Sequence, residues 1–449
     1  MLNGTSTIIK FYNELIFIIN LVTPMNNMEH TNELLGFTSI LIIIFLTYIA
    51  ILRWPSISKI LLVALVVRVL LVLGGHHHYL FELPDYEGDS EDFETSAWIL
   101  AQGGISYVWN YLDLPDPHAY IWFVGLIYAL IDRSIMMIQA ISILFGLGSV
   151  VLGWKISKII WNTRTADKVG WMIALFPSLV LYSVLVMREV YMVFFLLLAL
   201  YGVVAWAKTN SLKSIIIALI GFFGGAFFHG AIFVGAITFL TIVGLSSFIK
   251  FYKSVLKNRL NLKTVFMILL ISIVSQFYLT NKFEVSYLGS FEESSRIDNL
   301  LYLTEINTRG TASWPKWTII SSPVEMIYKI PVRSIYFIFG PFPWDIKKPS
   351  HLIIMLDAFL YIYLSYLILK NIKVIWRDPA LRIILIILVS YILVFSIGVG
   401  NFGTGVRHRS KFVIMFILLA APLLKRFIFF TKKDKIKNSK EINNKTLNY

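Results

Sequence analysis

An acidic cluster lies in the first long polar stretch of the chain, residues 76–104, and one of its members is placed differently from the others. Its seven carboxylates are Glu82, Asp85, Glu87, Asp89, Glu91, Asp92 and Glu94. Asp89 is followed by Phe93 and Ala97, which fall on the same face if the segment is a helix. We expect Asp89 at the N-terminus of that helix, where a carboxylate can cap the first turn. Capping explains Asp89 as well as a chemical role does, in which the carboxylate takes a proton from a nucleophilic hydroxyl.

The same stretch begins with three consecutive histidines, His76, His77 and His78. Imidazoles are common metal ligands. Three consecutive side chains cannot all face one ion in a regular helix or strand, so at most two of them could be ligands. The pattern favours a polar cluster at the membrane surface over a metal site, although a divalent metal is left open.

A second group of candidate residues is cationic. Arg188 precedes Glu189 between two apolar blocks, Arg333 follows Pro331, and Arg407 and Arg409 lie in the segment NFGTGVRHRSK before the last apolar block. A guanidinium pairs with a phosphate through two parallel hydrogen bonds. These four arginines therefore predict a site for a phosphate carried on a lipid. The alternative is that such cations extend towards lipid headgroups, which explains Lys347 and Lys348 as well as a phosphate site does.

The elements that must position these residues are membrane-spanning helices. Of the 449 residues, 57% are hydrophobic and only 15% are charged, and the mean hydropathy is +0.73. A soluble domain has about a quarter of its residues charged. The apolar residues form blocks long enough to cross a bilayer as helices, near 36–52, 57–74, 134–154, 168–184, 190–206, 212–228, 231–248, 264–280, 351–369, 382–398 and 412–427.

The composition also excludes several classes of function. There is no cysteine, which rules out disulfides, thiolate metal sites and cysteine nucleophiles. The net charge of +14 does not indicate a nucleic-acid partner, because the basic residues lie between apolar blocks and in the tail. The sequence thus predicts an all-α integral membrane protein whose residues 1–449 form a single polytopic domain of about 11 or 12 spans.

The positive-inside rule gives an orientation. The connectors rich in Lys and Arg are assigned to the cytoplasm, together with a disordered basic tail at 428–449. The extracytoplasmic side then receives a first loop at 75–133, a long loop at 281–350, the segment 399–411 and the short connections at 187–189 and 229–230. Residues 119–131 are apolar but too short to cross, so we expect an interfacial or re-entrant helix. Whether 7–23 spans decides between 11 and 12 spans.

These features resemble the GT-C superfamily of glycosyltransferases. The resemblance lies in the motif Asp-Ser-x-x-Phe-x-x-x-Ala from Asp89 to Ala97, the apolar interfacial helix after it, the segment PSLVLYSVLVMRE at 177–189 and the Arg-x-Arg before the last span. It covers most of 75–210 and the C-terminal third. At least two spans precede the loop here, whereas the simplest members have one, and this also fits the Wzy type of O-antigen and capsule polymerase.

The resemblance implies transfer of a sugar, with inversion, from a polyprenyl-phosphate carrier to a glycan or lipid acceptor on the outer face of the plasma membrane. Asp89 would be the general base, and Arg188, Arg333, Arg407 and Arg409 would bind the donor phosphate. Asp116 and Glu189 are candidates for a second acidic or metal-binding position. The alternatives are a polymerase of lipid-diphosphate-linked repeat units and a transporter or flippase of lipid-linked glycans. Trp314, Trp317, Phe342 and Trp344 either stack on sugar rings or, as we favour, anchor the chain at the membrane interface.

Overall fold

In a computed structural model of the chain, the structure describes residues 27–76, 80, 83, 86–113, 118–256, 297–308, 310, 312–346 and 350–425. Regular secondary structure in these residues is helical, apart from one isolated antiparallel bridge between Ser313 and Asn401. The predicted spans 7–23 and 264–280, the basic tail and Asp116 lie outside the described residues.

Within the described residues, eleven α-helices lie between residues 27 and 256, and seven more lie between residues 297 and 420. The first eleven are α1 (Asn27–Arg53), α2 (Ser58–Gly75), α3 (Glu91–Gln102), α4 (Gly104–Asn110), α5 (Ala119–Leu130), α6 (Ile135–Ile160), α7 (Thr163–Leu175), α8 (Pro177–Leu181), α9 (Glu189–Thr209), α10 (Leu212–Phe228) and α11 (Phe233–Leu256). The rest are α12 (Ile297–Ile306), α13 (Pro323–Phe339), α14 (Ser350–Lys370), α15 (Ile372–Arg377), α16 (Pro379–Gly398), α17 (Phe402–Ser410) and α18 (Val413–Ala420).

The chain is an all-α membrane protein. Among the described residues, six helices are long and apolar enough to cross a membrane: Thr31–Arg53, Pro55–Gly75, Ile135–Ile160, Glu189–Thr209, Gly230–Leu256 and Pro379–Gly398. Three shorter apolar helices accompany them, at Ala119–Leu130, Leu212–Phe228 and Val413–Leu423. Large apolar side chains such as Phe45 and Leu70 stay more than 60% exposed within the spans. Hydrocarbon around the helices explains that exposure, because lipid does not penalise an apolar surface.

The helices follow the predicted apolar blocks closely. The prediction 119–131 corresponds to α5, which has 12 residues and is too short to cross the hydrocarbon core. The predicted span 351–369 corresponds to α14. The long predicted loop at 281–350 contains helices of its own, α12 and α13. On α13 the apolar side chains of Val324 and Ile327 are exposed, as expected of a helix at an interface.

The predicted span 168–184 is a broken helix. α7 ends before Pro177, because the residue that precedes a proline disfavours the helical conformation. A five-residue helix, α8, follows, and the chain from 182 to 188 then continues irregularly and almost entirely buried. Buried irregular backbone must find hydrogen-bond partners outside its own segment. Two side chains supply such partners: Gln139 donates to the Val184 carbonyl at 2.8 Å, and the Ser90 hydroxyl accepts from the Val186 amide at 3.2 Å. Arg68 donates to the Ser183 hydroxyl at 2.8 Å and to the Ala174 carbonyl of α7 at 2.9 Å, which links the irregular segment to α7.

Small residues allow α9 and α10 to pack with their backbones in contact. A side chain at Gly202 would clash with the backbone of Ala218, and one at Gly221 would clash with the backbone of Ala199. Close approach of this kind drives association between membrane helices, where the hydrophobic effect contributes little. The contact fixes the first turn of α9, where Glu189 lies, relative to the end of α10.

Candidate functional site

Asp89 lies in the turn Tyr86–Ser90, directly before α3. The residue at the N-cap of α3 is Ser90, not Asp89 as the capping interpretation expected, and no side chain caps this helix. The Asp89 carboxylate instead forms an ion pair with the Arg407 guanidinium, and about half of the Asp89 side chain, 52%, remains exposed. Asp89 is therefore both reachable from solvent and held by a cation.

Arg407 joins Asp89 to a second carboxylate. It lies on α17, whose first turn is capped by the Asn401 side chain accepting from the Gly403 amide at 2.8 Å. The Arg407 Nε lies 3.2 Å from Glu189 Oε1. Glu189 is the first residue of α9 and is completely buried. Three residues selected in the sequence, from three separate segments, thus meet at one point.

Lys411 is a member of this cluster that the sequence analysis did not select. Its Nζ lies 3.6 Å from Glu189 Oε1 and 2.7 Å from His408 Nδ1, and the side chain is fully buried. Burial lowers the pKa of Lys411 well below its usual value, and Glu189 opposes that shift. The spacing of four residues between Arg407 and Lys411 was the available signal, since such residues share a helix face.

Arg188 approaches the cluster from the residue before α9. Its Nη1 lies 2.9 Å from His118 Nε2, and its guanidinium lies 5.6 Å from the ring centre of Phe93. Phe93 is four residues after Asp89, so the face predicted for α3 does point towards this site. Arg188 Nε is buried without a hydrogen-bond partner, and among the described residues no carboxylate lies within ion-pair distance of Arg188.

The histidines of the site are held neutral. Burial, followed by the charge of Arg188, lowers the pKa of His118 to about 4. Burial, followed by the charge of Lys411, lowers the pKa of His408 well below its usual value. His408 also faces His229, with ring centres 5.2 Å apart. Among the described residues, the guanidiniums of Arg188 and Arg407 lie here with the carboxylates of Asp89 and Glu189. Both carboxylates face Arg407, so an anionic ligand would supply a negatively charged partner for Arg188.

Arg333 has a structural role. Its three guanidinium nitrogens all donate to backbone carbonyls, those of Thr318, Ser396, Ile397 and Val399. Three of these carbonyls belong to the end of α16 or the residue after it, where helix carbonyls lack partners in their own helix. The guanidinium also lies 5.0 Å from the ring centre of Trp314. We therefore leave Arg333 out of the site.

Arg409 also has a structural role, and its side chain points away from that of Arg407. Its Nε and Nη2 donate to Asp357 Oδ2 at 3.1 and 2.9 Å, and its Nη1 donates to the carbonyls of Ile338 and Gly340. Arg409 thus links α17 to α14 and to the end of α13. Two residues apart on a helix point about 200° apart, so Arg407 and Arg409 cannot share a ligand.

In the described residues, no group of three or more histidine, cysteine or carboxylate side chains is arranged to hold a metal ion. His76 Nε2 contacts both carboxylate oxygens of Glu33 at 2.8 Å. The Arg407 guanidinium lies 3.2 Å from Glu189 Oε1, which disfavours a divalent cation at that atom. The other acidic candidate, Asp116, lies outside the described residues.

The His118 shift predicts a pH dependence of stability. The pKa is about 4 in the folded chain and near 6.5 when unfolded, so between these values the unfolded chain binds the proton and the folded chain does not. The free energy of unfolding is therefore not reduced by His118 above about pH 6.5, and it falls as the pH drops towards 4. We expect the melting temperature to fall less between about pH 7 and pH 5 in His118→Gln than in the unchanged protein. Equal falls in the two proteins would contradict this.

Comparison of the sequence with models of known protein families and with curated proteins found no match.

Proposed function

We propose that the chain is a membrane glycosyltransferase that moves a sugar from a polyprenyl-phosphate-linked donor to a glycan or lipid acceptor. The single observation that carries the proposal is the convergence of Asp89, Glu189 and Arg407. A half-exposed carboxylate and a largely buried guanidinium lie side by side, with a second, completely buried carboxylate behind the guanidinium. The exposed part of the Asp89 side chain lets a polar acceptor approach it from water.

Each group suits one part of the reaction. Asp89 takes the proton from the acceptor hydroxyl as its oxygen attacks the anomeric carbon. Arg407, supported by Arg188, stabilises the negative charge that develops on the departing lipid phosphate. One bond forms to the anomeric carbon while the bond to the phosphate oxygen breaks on the opposite face, so the configuration at that carbon inverts. No metal ion is needed in this scheme, because the cations are supplied by side chains.

The proposed location is the plasma membrane, with the site on the extracytoplasmic side. It rests on the distribution of Lys and Arg between the spans. Because the chain has no cysteine, single cysteines report position without background. In intact cells we expect an impermeant thiol reagent to label Glu91→Cys and Thr404→Cys, both at exposed positions near the site, and not Thr209→Cys at the other end of α9. Labelling of Thr209→Cys alone would reverse the orientation.

A transporter or flippase of lipid-linked glycans is the second candidate, because one observation favours it. The broken segment α7–α8 and the buried irregular chain from 182 to 188 resemble the interrupted helices that form binding sites in secondary transporters. A transporter, however, should leave the donor's glycosidic bond intact with the unchanged protein as well as with Asp89→Asn, since no bond is broken.

Incubation of the purified protein with a panel of polyprenyl-phosphate and polyprenyl-diphosphate sugars tests the proposal and separates its alternatives. We expect release of the free polyprenyl phosphate together with a glycosylated acceptor. A polymerase of lipid-linked repeat units would instead consume only diphosphate-linked oligosaccharides and join them to each other. A protein that leaves all donors intact but moves them between the leaflets of a vesicle is a transporter, and that result would overturn the proposal.

A further inference from the structure

Arg407 has two partners in the proposed reaction, and both use the same guanidinium. Its Nη1 pairs with Asp89, the proposed base, and its other proposed partner is the donor phosphate. A guanidinium paired with a carboxylate favours the charged form and lowers the tendency of the carboxylate to take up a proton. In the resting arrangement, then, the base is weakened and the phosphate-binding group is occupied.

The two carboxylates that contact the Arg407 guanidinium differ in burial. Its Nε faces Glu189, which is completely buried and also lies beside the buried Lys411. Asp89, by contrast, precedes α3 on a short turn and keeps 52% of its side chain exposed. Of the two carboxylates at Arg407, Asp89 is therefore the one that can leave without exposing a buried charge.

We propose that Asp89 and the ligand phosphate exchange at Arg407: the phosphate takes the place of the Asp89 carboxylate on the guanidinium, and the released carboxylate then becomes free to act as a base. Glu189 holds Arg407 in place during the exchange. The regulation of catalysis rests on the proposed function, in which Asp89 is the base. The exchange itself is a binding equilibrium and does not depend on that role. It links deprotonation of the acceptor to the presence of a donor, so that water is not activated at an empty site.

The exchange makes opposite predictions for the two members of the pair. Removing the Asp89 charge removes a competitor, so we expect Asp89→Asn to bind farnesyl phosphate about two- to fivefold more tightly, the range of a partly exposed ion pair. Arg407→Gln removes the common partner, so we expect weaker binding. In the double variant Asp89→Asn, Arg407→Gln, the gain from Asp89→Asn should disappear. Calorimetric titration of the purified proteins in detergent measures all of these without any turnover.

Controls separate the exchange from general electrostatics and identify the source of the phosphate. Glu91→Gln removes the same charge two residues away, at an exposed position. It should change the affinity less than twofold, because salt screens the interaction of an exposed charge with a distant ligand. Titration with inorganic phosphate, run in parallel, should show the same pattern across the variants. Tighter binding of farnesyl phosphate than of inorganic phosphate assigns the site to a lipid phosphate, and equal affinities assign it to a soluble one.

Unchanged or weaker binding in Asp89→Asn would overturn the exchange, as would a gain that persists without Arg407 or that Glu91→Gln reproduces. Melting temperatures of all variants, measured in the same detergent, establish that weaker binding in Arg407→Gln comes from a folded protein. Because no sugar transfer is measured, the exchange can fail while the proposed activity stands, and it can hold in a protein that transfers no sugar.

Discussion

Asp89→Asn is expected to lower the rate of sugar transfer by about two to four orders of magnitude, the contribution of a positioned general base. The amide keeps the shape of the carboxylate but cannot accept the proton. Folding should be retained, because an ion pair with one half-exposed partner contributes about 1 kcal/mol or less. Initial rates with a saturating lipid-linked donor measure the effect on the chemical step separately from the tighter donor binding expected of this variant.

The matched control is Asp92→Asn, three residues further on at an exposed position in α3. It removes one negative charge from the same loop and should leave the rate nearly unchanged. A normal rate for Asp89→Asn would remove Asp89 from the mechanism. A loss of similar size in both variants would point to the charge of the loop and not to a base.

Arg407→Lys is the second large effect we expect. Lysine keeps the positive charge but cannot contact Asp89 or a phosphate on one edge and Glu189 on the other, as the planar guanidinium does. Activity should fall clearly in Arg407→Lys and further in Arg407→Ala, by about 2–4 kcal/mol of transition-state stabilisation for a buried charge that loses its partner. The ratio of kcat/KM between variants gives that quantity directly.

Arg409→Lys provides the contrast on the same helix. Arg409 holds Asp357 and two backbone carbonyls, and its side chain is only 2% exposed. Its replacement should lower the melting temperature, with catalysis by the folded fraction unaffected. If lysine is tolerated fully at position 407 but not at 409, the assignment of the phosphate to Arg407 is incorrect.

The membrane architecture could be predicted because it depends on the length of apolar blocks, which a sequence displays directly. The short apolar helix at 119–131 followed from the same reasoning. The break at Pro177 could have been noticed, since proline disfavours a helical residue before it. The burial of the chain from 182 to 188 could not be predicted, because its hydrogen-bond partners Arg68, Gln139 and Ser90 come from three distant segments.

The candidate arginines show the limit of arguing from residue type. Arg188, Arg333, Arg407 and Arg409 all interrupt apolar sequence, and nothing local separates them. In the structure, Arg333 and Arg409 satisfy carbonyls at the ends of helices, whereas Arg407 meets two carboxylates. A buried guanidinium can satisfy helix ends as readily as a ligand. Only the three-dimensional arrangement tells these uses apart.

The most direct test of the account is the fate of a donor of known anomeric configuration, incubated with the purified protein and a glycan acceptor. Released polyprenyl phosphate and the anomeric configuration of the product are measured together, by mass spectrometry and by nuclear magnetic resonance. The account predicts one lipid phosphate released for each sugar transferred, an inverted anomeric centre, and loss of both products in Asp89→Asn. A retained configuration, or an intact donor in the presence of a folded protein and a suitable acceptor, would contradict it.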